Sequence, residues 1–167
     1  RKIKNQFSYQ FGGIFISLND IPDTRDLFLK NDGLVPDYDL IENLNFNQLR
    51  DVYSITDCYV SPYKAEGFNL PPLEAAACGT QIVVTDGGPT DDYFDDCMGF
   101  KIESKEEKLN DNIYLRPKTN SLIEILDSII NKIDDKKDVR SKLVHKNFSW
   151  ENIVKKLKKE FENKLSK

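Results

Sequence analysis

Short apolar runs rich in β-branched and aromatic residues recur along the first two thirds of the chain, at Gly13 to Leu18, Cys58 to Ser61 and Gln81 to Thr85. Each predicts a buried strand. Between them, Phe46 to Thr56 sets Leu49, Val52, Tyr53 and Thr56 at helical spacing, and Pro72 to Cys78 is a short helical run closed by Gly79. Strands without a polar face, alternating with helices, predict an α/β fold with a parallel sheet covered by helices, and Gly99 to Glu103 and Ile113 to Arg116 are candidate edge strands.

After Pro117 the strand signals stop. Leu122, Ile125, Leu126, Ile129, Ile130 and Ile133 repeat at helical spacing, and Phe148-Ser149-Trp150 opens a last helix striped by Ile153, Leu157 and Phe161. Ser149 is its expected N-cap, with Asn152 in the capping-box position. The chain thus divides into an α/β body over 1–117 and C-terminal helices over 118–167 that are expected to pack on the same domain. Two charge-dense stretches, Glu103 to Lys108 and Asp134 to Arg140, read as a loop and a helix–helix connection.

Composition narrows the function classes. With 167 residues, 39% hydrophobic and 31% charged, the chain suits one soluble domain, and Phe11 to Leu18 is too short to span a bilayer. No signal peptide is legible, and the opening Arg1 without an initiator Met reads as a piece of something longer. A net charge of −4 gives no general attraction for nucleic acid. Cys58, Cys78 and Cys97 are an odd set without metal-ligand spacing, so reduced thiols in a cytoplasmic compartment are expected.

The candidate chemistry lies between two predicted strands, in Ser61-Pro62-Tyr63-Lys64-Ala65-Glu66-Gly67-Phe68-Asn69-Leu70-Pro71-Pro72-Leu73-Glu74-Ala75-Ala76-Ala77-Cys78-Gly79-Thr80. Because Pro72 disfavours the helical region for Pro71, the helix is expected to start at Pro72, with Glu66 on a loop and Glu74 in the first turn. The two carboxylates then lie at most ~23 Å apart along the chain. The amides of Gly67, Phe68, Asn69 and Leu70, with the positive helix end, can hold phosphate or sugar oxygens without a basic side chain. A carboxylate beside such an anion site suits a ligand that carries both phosphate and vicinal hydroxyls, as a nucleotide sugar does.

Glu66 to Glu74 resembles the E-x7-E motif of retaining glycosyltransferases of the GT-B fold, glycosyltransferase family 4 (GT4) in particular. The likeness extends through Glu66-Gly67-Phe68, Leu70-Pro71, Leu73-Glu74-Ala75 and Ala76-Ala77-Cys78-Gly79 to Ile82-Val83-Val84-Thr85, Gly87-Gly88-Pro89 and Phe148-Ser149-Trp150. It implies a Rossmann-like, donor-binding C-terminal half of a GT-B enzyme that transfers a hexosyl group from a UDP- or GDP-sugar without a metal or other cofactor. Glu66 would lie at the donor sugar as the catalytic, charge-stabilising residue, Glu74 would accept the ribose hydroxyls, and the Gly67 to Leu70 amides would hold sugar and diphosphate. The acceptor, a glycan, lipid or protein, is not indicated. The N-terminal acceptor domain is absent from the chain and would be supplied in cis or as a subunit, so the fragment alone is expected to be inactive. The chain departs from the family at its missing Gly-rich entry loop and diphosphate Arg/Lys pair, and at Thr90-Asp91-Asp92, where many relatives carry Glu.

Two rival functions remain open on the sequence, a noncatalytic nucleotide-sugar-binding module completing another protein and a structural domain with a relic motif. Asp91-Asp92 and Asp95-Asp96 flank a predicted helix start, which explains the acids without a metal. His145 has no catalytic partner at useful spacing, and Cys78 suits close packing. Lys155, Lys156, Lys158 and Lys159 read as a solvated face, with peripheral contact to an anionic membrane as the alternative.

Overall fold

A computed structural model describes the backbone of residues 5–9, 14–17 and 39–41 and, more fully, residues 44–132 and 134–165. Strands β1 (Asn5–Tyr9), β2 (Ile14–Ser17), β3 (Asp39–Ile41), β4 (Cys58–Ser61), β5 (Gln81–Thr85) and β6 (Gly99–Ile102) form one sheet in the order β3-β1-β2-β4-β5-β6. The expected parallel sheet is present as β4–β5–β6, and β1 pairs parallel with β3. Strand β2, within the apolar run Gly13 to Leu18, runs antiparallel to both β1 and β4. An apolar run predicts a strand but carries no direction.

Helix α1 (Phe46–Ile55) leads into β4, and its start is fixed by a reciprocal cap. Asn45 Oδ1 accepts from the amides of Asn47 and Gln48 at 3.0 Å each, and the Asn45 amide donates to Gln48 Oε1 at 2.9 Å. Helix α2 (Leu70–Ala77) crosses from β4 to β5, and a short 3₁₀ turn at Pro89–Asp92 lies between β5 and β6. Successive strand residues point to opposite faces. Tyr59, Ile82 and Val84 therefore meet Val52 and Tyr53 of α1, Leu73, Ala75 and Ala76 of α2, and Val144 on one side. Cys58, Val60, Val83 and Ile102 meet Ile129 with Leu122, Ile125, Leu126 and Ile130 on the other. Cover on both faces is why these strands read as unbroken apolar runs. At β6, Gly99 holds φ +157°, and a Cβ there would lie 1.8 Å from the Ile82 carbonyl oxygen. Only glycine lets β6 pair this closely with β5.

The stripe after Pro117 forms helix α3 (Thr119–Ile130), while Ile133, placed in the same stripe from the sequence, lies outside the described residues. Helix α4 (Lys137–Phe148) begins inside the stretch read as a connection, and its Arg140 is fully buried rather than solvated. Its guanidinium donates to both Asp134 carboxylate oxygens at 3.0 Å, to the Cys97 carbonyl at 3.2 Å and to the Gly79 carbonyl. These partners permit the burial of a charge that sequence pattern assigns to the surface. Burial tends to raise the Asp134 pKa, but bonds from Arg140 and the Lys136 amide outweigh it and hold the carboxyl below its ordinary value.

Two further expectations are corrected at the surface. Glu103 to Lys108 is not a loop, and Ile113 to Arg116 does not extend the main sheet. Strands β7 (Ser104–Leu109) and β8 (Asn112–Pro117) form a separate antiparallel hairpin with Asn110 at φ 55° in its turn. A ribbon exposed over most of its length needs no apolar face, so alternating charge does not exclude it. The last helix, α5 (Trp150–Leu165), buries none of its residues, and Ile153, Leu157 and Phe161 are exposed rather than packed on the domain. Ser149 caps it, accepting from the Asn152 amide at 3.4 Å. The Asn152 side chain donates instead to the Lys146 carbonyl, so the capping box is not closed. Among the described residues no helix is long and apolar enough to cross a membrane.

Candidate functional site

Two loops leave the carboxyl ends of the parallel strands, 62–69 after β4 and 86–91 after β5. That end of an α/β sheet is where ligands bind. The first loop is pinned at both ends by buried hydroxyls. At its start, Tyr63 Oη donates to the Thr85 carbonyl at 3.1 Å and lies 2.7 Å from Thr90 Oγ1, while Thr85 Oγ1 donates back to the Tyr63 carbonyl at 2.8 Å. At its end, Tyr93 Oη donates to the Asn69 carbonyl at 2.8 Å, and Asn69 Nδ2 donates to Ser61 Oγ at 3.0 Å. Burial pushes both tyrosine hydroxyls to higher pKa, so they stay neutral donors around pH 7.

Between these pins the residues are open. Glu66 is exposed and has no hydrogen bond or ion pair among the described residues. Gly67 is exposed with no atom near enough to crowd an added Cβ. Phe68 is 40% exposed and lies with its ring 5.2 Å from that of Tyr93. Asn69 is buried and left-handed, at φ 62°. It caps the helix by turning the chain, with no side-chain bond to the helix amides.

This turn corrects the predicted helix start. Helix α2 begins at Leu70, with both prolines inside its first turn, where their missing N–H groups cost nothing. Glu74 therefore stands in the second turn, exposed, and Tyr53 Oη approaches its Oε2 at 3.5 Å. The earlier start shortens the greatest separation of Glu66 and Glu74 along the chain to about 19 Å. Among the described residues, the amides of Gly67, Phe68, Asn69 and Leu70 donate to no protein acceptor.

The second loop is held just as firmly. The Gly87 amide donates to Asp91 Oδ2 at 3.1 Å, and Lys101 Nζ sits 2.7 Å from Asp91 and 3.3 Å from Asp86. Burial lowers the Lys101 pKa, but the two carboxylates more than reverse this and keep it charged. Asp95 Oδ1 accepts from the Cys97 amide at 2.9 Å, which holds its carboxyl below the usual value. Among the described residues no group of three His, Cys, Asp or Glu side chains is arranged to hold a metal ion. Burial raises the Cys78 thiol, which disfavours a thiolate there, and His145 is exposed on α4.

Sequence reasoning singled out the open residues of the first loop and missed those that hold it, Tyr63, Thr85, Thr90 and Tyr93. Thr90 stood out only as a departure, and the structure shows what it does there: it is fully buried against Tyr63.

Parallel strands β4–β6 covered on both faces by helices, with a braced loop at their carboxyl edge, define an α/β domain of Rossmann-like build. The family model described as "Glycosyl transferases group 1" matches residues 25–115, more than half of the chain, and the chain belongs to that family. A stretch of 46 residues is 39% identical to the O-antigen chain mannosyltransferase RfbU of Salmonella typhimurium (strain LT2). That stretch is 28% of this chain and spans only 13% of the relative's length.

Proposed function

We propose that this chain is the donor-binding part of a retaining glycosyltransferase that moves a hexosyl group from a nucleoside-diphosphate sugar to an acceptor, the E-x7-E pair being Glu66 and Glu74. The observation that carries the reading is the loop 66–70, in which four amides without a partner among the described residues follow an exposed carboxylate and lead directly into the helix bearing a second one. Family membership supports it.

In this reading the Gly67 to Leu70 amides and the start of α2 hold the diphosphate and sugar oxygens, and Glu74 accepts the ribose hydroxyls. Glu66 lies by the transferring sugar and stabilises the positive charge that develops as the bond from C1 to the diphosphate oxygen breaks. The acceptor hydroxyl attacks C1 from the same face, and its proton passes to the departing diphosphate. The products are a glycoside of unchanged anomeric configuration and a nucleoside diphosphate. The acceptor is held by an N-terminal domain, in cis or as a subunit, and no metal is required. The relative's name makes a mannosyl donor the first to try.

The test is calorimetry of the full-length protein with UDP, GDP and their sugar derivatives, followed by assignment of the product anomer by NMR. A nucleoside-diphosphate sugar that binds and yields the retained anomer is expected. Inversion would refute the retaining assignment, and no affinity for any of these nucleotides would refute the donor site.

A further inference from the structure

The β7–β8 hairpin is exposed through most of its length, and a two-stranded hairpin is marginal by itself in water. Contacts at its base hold it, and three of them land on the two loops of the candidate site. The Leu115 amide donates to the Lys64 carbonyl at 2.8 Å, two residues before Glu66. Ser104 Oγ donates to the Asp86 carbonyl at 2.7 Å. The Leu115 side chain lies against the Gly87-Gly88 turn: a Cβ on Gly88 would come 3.0 Å from Leu115 Cδ1 and 2.4 Å from Tyr63 Oη. Leu115 opposes Glu106 in the hairpin register, yet its N–H goes to Lys64 rather than to β7. The outer edge of β8 is thereby docked on the loop that carries Glu66. At the root, the Lys118 amide donates to the Glu103 carbonyl at 2.7 Å and Lys118 Nζ pairs with the Glu103 carboxylate at 2.6 Å, closing the hairpin onto itself.

We infer that Leu115 is a positioning residue of the donor site, through which the β7–β8 hairpin sets residues 64–66 against the turn at 86–91 and so fixes where Glu66 stands. The inference rests on the donor-site reading given above. Leu115 does not touch the ligand. Its effect reaches the reaction through the Lys64 carbonyl on one side and the Gly88–Tyr63 contact on the other. A loop bearing a charge-stabilising group must hold it to within a fraction of an ångström, and a loop pinned only at Tyr63 and Asn69 leaves the intervening residues unsupported.

The test uses the full-length protein and its true donor. Leu115→Ala removes the packing and keeps the N–H, Leu115→Pro removes the N–H at a strand edge, and Leu115→Met is the conservative control. Ser104→Ala loosens the hairpin base by an independent bond. Steady-state kinetics, calorimetry with the free nucleoside diphosphate and thermal unfolding are run on each. We expect Leu115→Ala to lower kcat by about tenfold or more, the scale of a misplaced reacting group, while free-nucleotide affinity stays within about twofold. Leu115→Met should restore kcat, and Ser104→Ala should lower it in the same direction by less. A Leu115→Ala protein that melts earlier but turns over like wild type would overturn the inference, because the hairpin would then serve the fold alone. If Leu115→Ala and Leu115→Pro both fail to fold, Ser104→Ala decides, and wild-type kcat there overturns it. Failure of wild type to bind any nucleotide would overturn the donor site and this inference together. Nucleotide binding that is lost in Glu74→Ala, with Leu115 variants turning over like wild type, would overturn this inference alone.

Discussion

Removing Asp134 should destabilise the protein more than removing Arg140, although Asp134 is the more exposed partner. Arg140 is fully buried, whereas the Asp134 side chain keeps 27% of its surface open to water. In Asp134→Ala the guanidinium keeps two carbonyl partners, Gly79 and Cys97, but loses its counter-charge at a position that has no exposed surface in the intact protein. Breaking a buried pair in that sense costs about 3–5 kcal/mol. In Arg140→Leu the surviving carboxylate turns to solvent, and the large desolvation cost of the guanidinium disappears with it. What remains is the loss of bonds to two carbonyls, of which Gly79 is the more deeply buried, for about 2–3 kcal/mol. Urea unfolding at pH 7 measures both, with unchanged m-values as the condition for comparison. The pH dependence has a fixed sign. Because the folded-state pKa of Asp134 is depressed, its contribution is present above its unfolded value of about 3.9 and is lost as pH falls through the lower folded value. The gap between wild type and Asp134→Ala should therefore narrow below about pH 4. An Arg140→Leu protein less stable than Asp134→Ala at pH 7 would refute the assignment of the cost to the stranded guanidinium.

Glu74→Ala should weaken nucleoside-diphosphate binding by about 1.5–3 kcal/mol, the value of hydrogen bonds to a charged acceptor, without unfolding the domain. Equal calorimetric affinities would remove Glu74 from the ribose. Glu66→Gln should lower kcat far more than it weakens binding of the free nucleotide, and equal losses in the two would move Glu66 away from the sugar. EDTA should leave turnover essentially unchanged. Activity abolished by EDTA and restored only by Mg²⁺ or Mn²⁺ would show that amides and a helix start are not enough for the diphosphate.

Some of this architecture is written in single residues and some is not. Cys58 to Ser61 and Gln81 to Thr85 were legible as strands because both faces of each are buried, which leaves no polar interruption. The stripe of α3 was legible for the complementary reason, since it covers one face only. The start of α2 was misread because the rule for residues before proline speaks to Pro71, whereas the boundary is set by the left-handed turn at Asn69. Strand β7 was misread because Lys105 to Lys108 face solvent, where charge says nothing about backbone pairing. Arg140 could not be recognised as buried from its neighbours in sequence, since two of its partners, Gly79 and Cys97, are 61 and 43 residues away. The open residues of the candidate site sit in one continuous motif and could be read. The residues that brace it come from β5, the turn after it and β8, and are brought together only by folding.

Strands β4 and β5 are hydrogen-bonded on both edges and covered on both faces. Their amides exchange with solvent only when much of the domain opens, whereas those of the hairpin and of α5 are released by small local openings. The loop 62–69 joins these two regimes. Its root belongs to the slowest-opening part of the protein, and the hairpin at its side belongs to the fastest. A ligand seated on that loop must leave before β4 and β5 can open, so binding should slow their exchange by its full free energy, and should slow that of β8 only as far as β8 opens together with the loop.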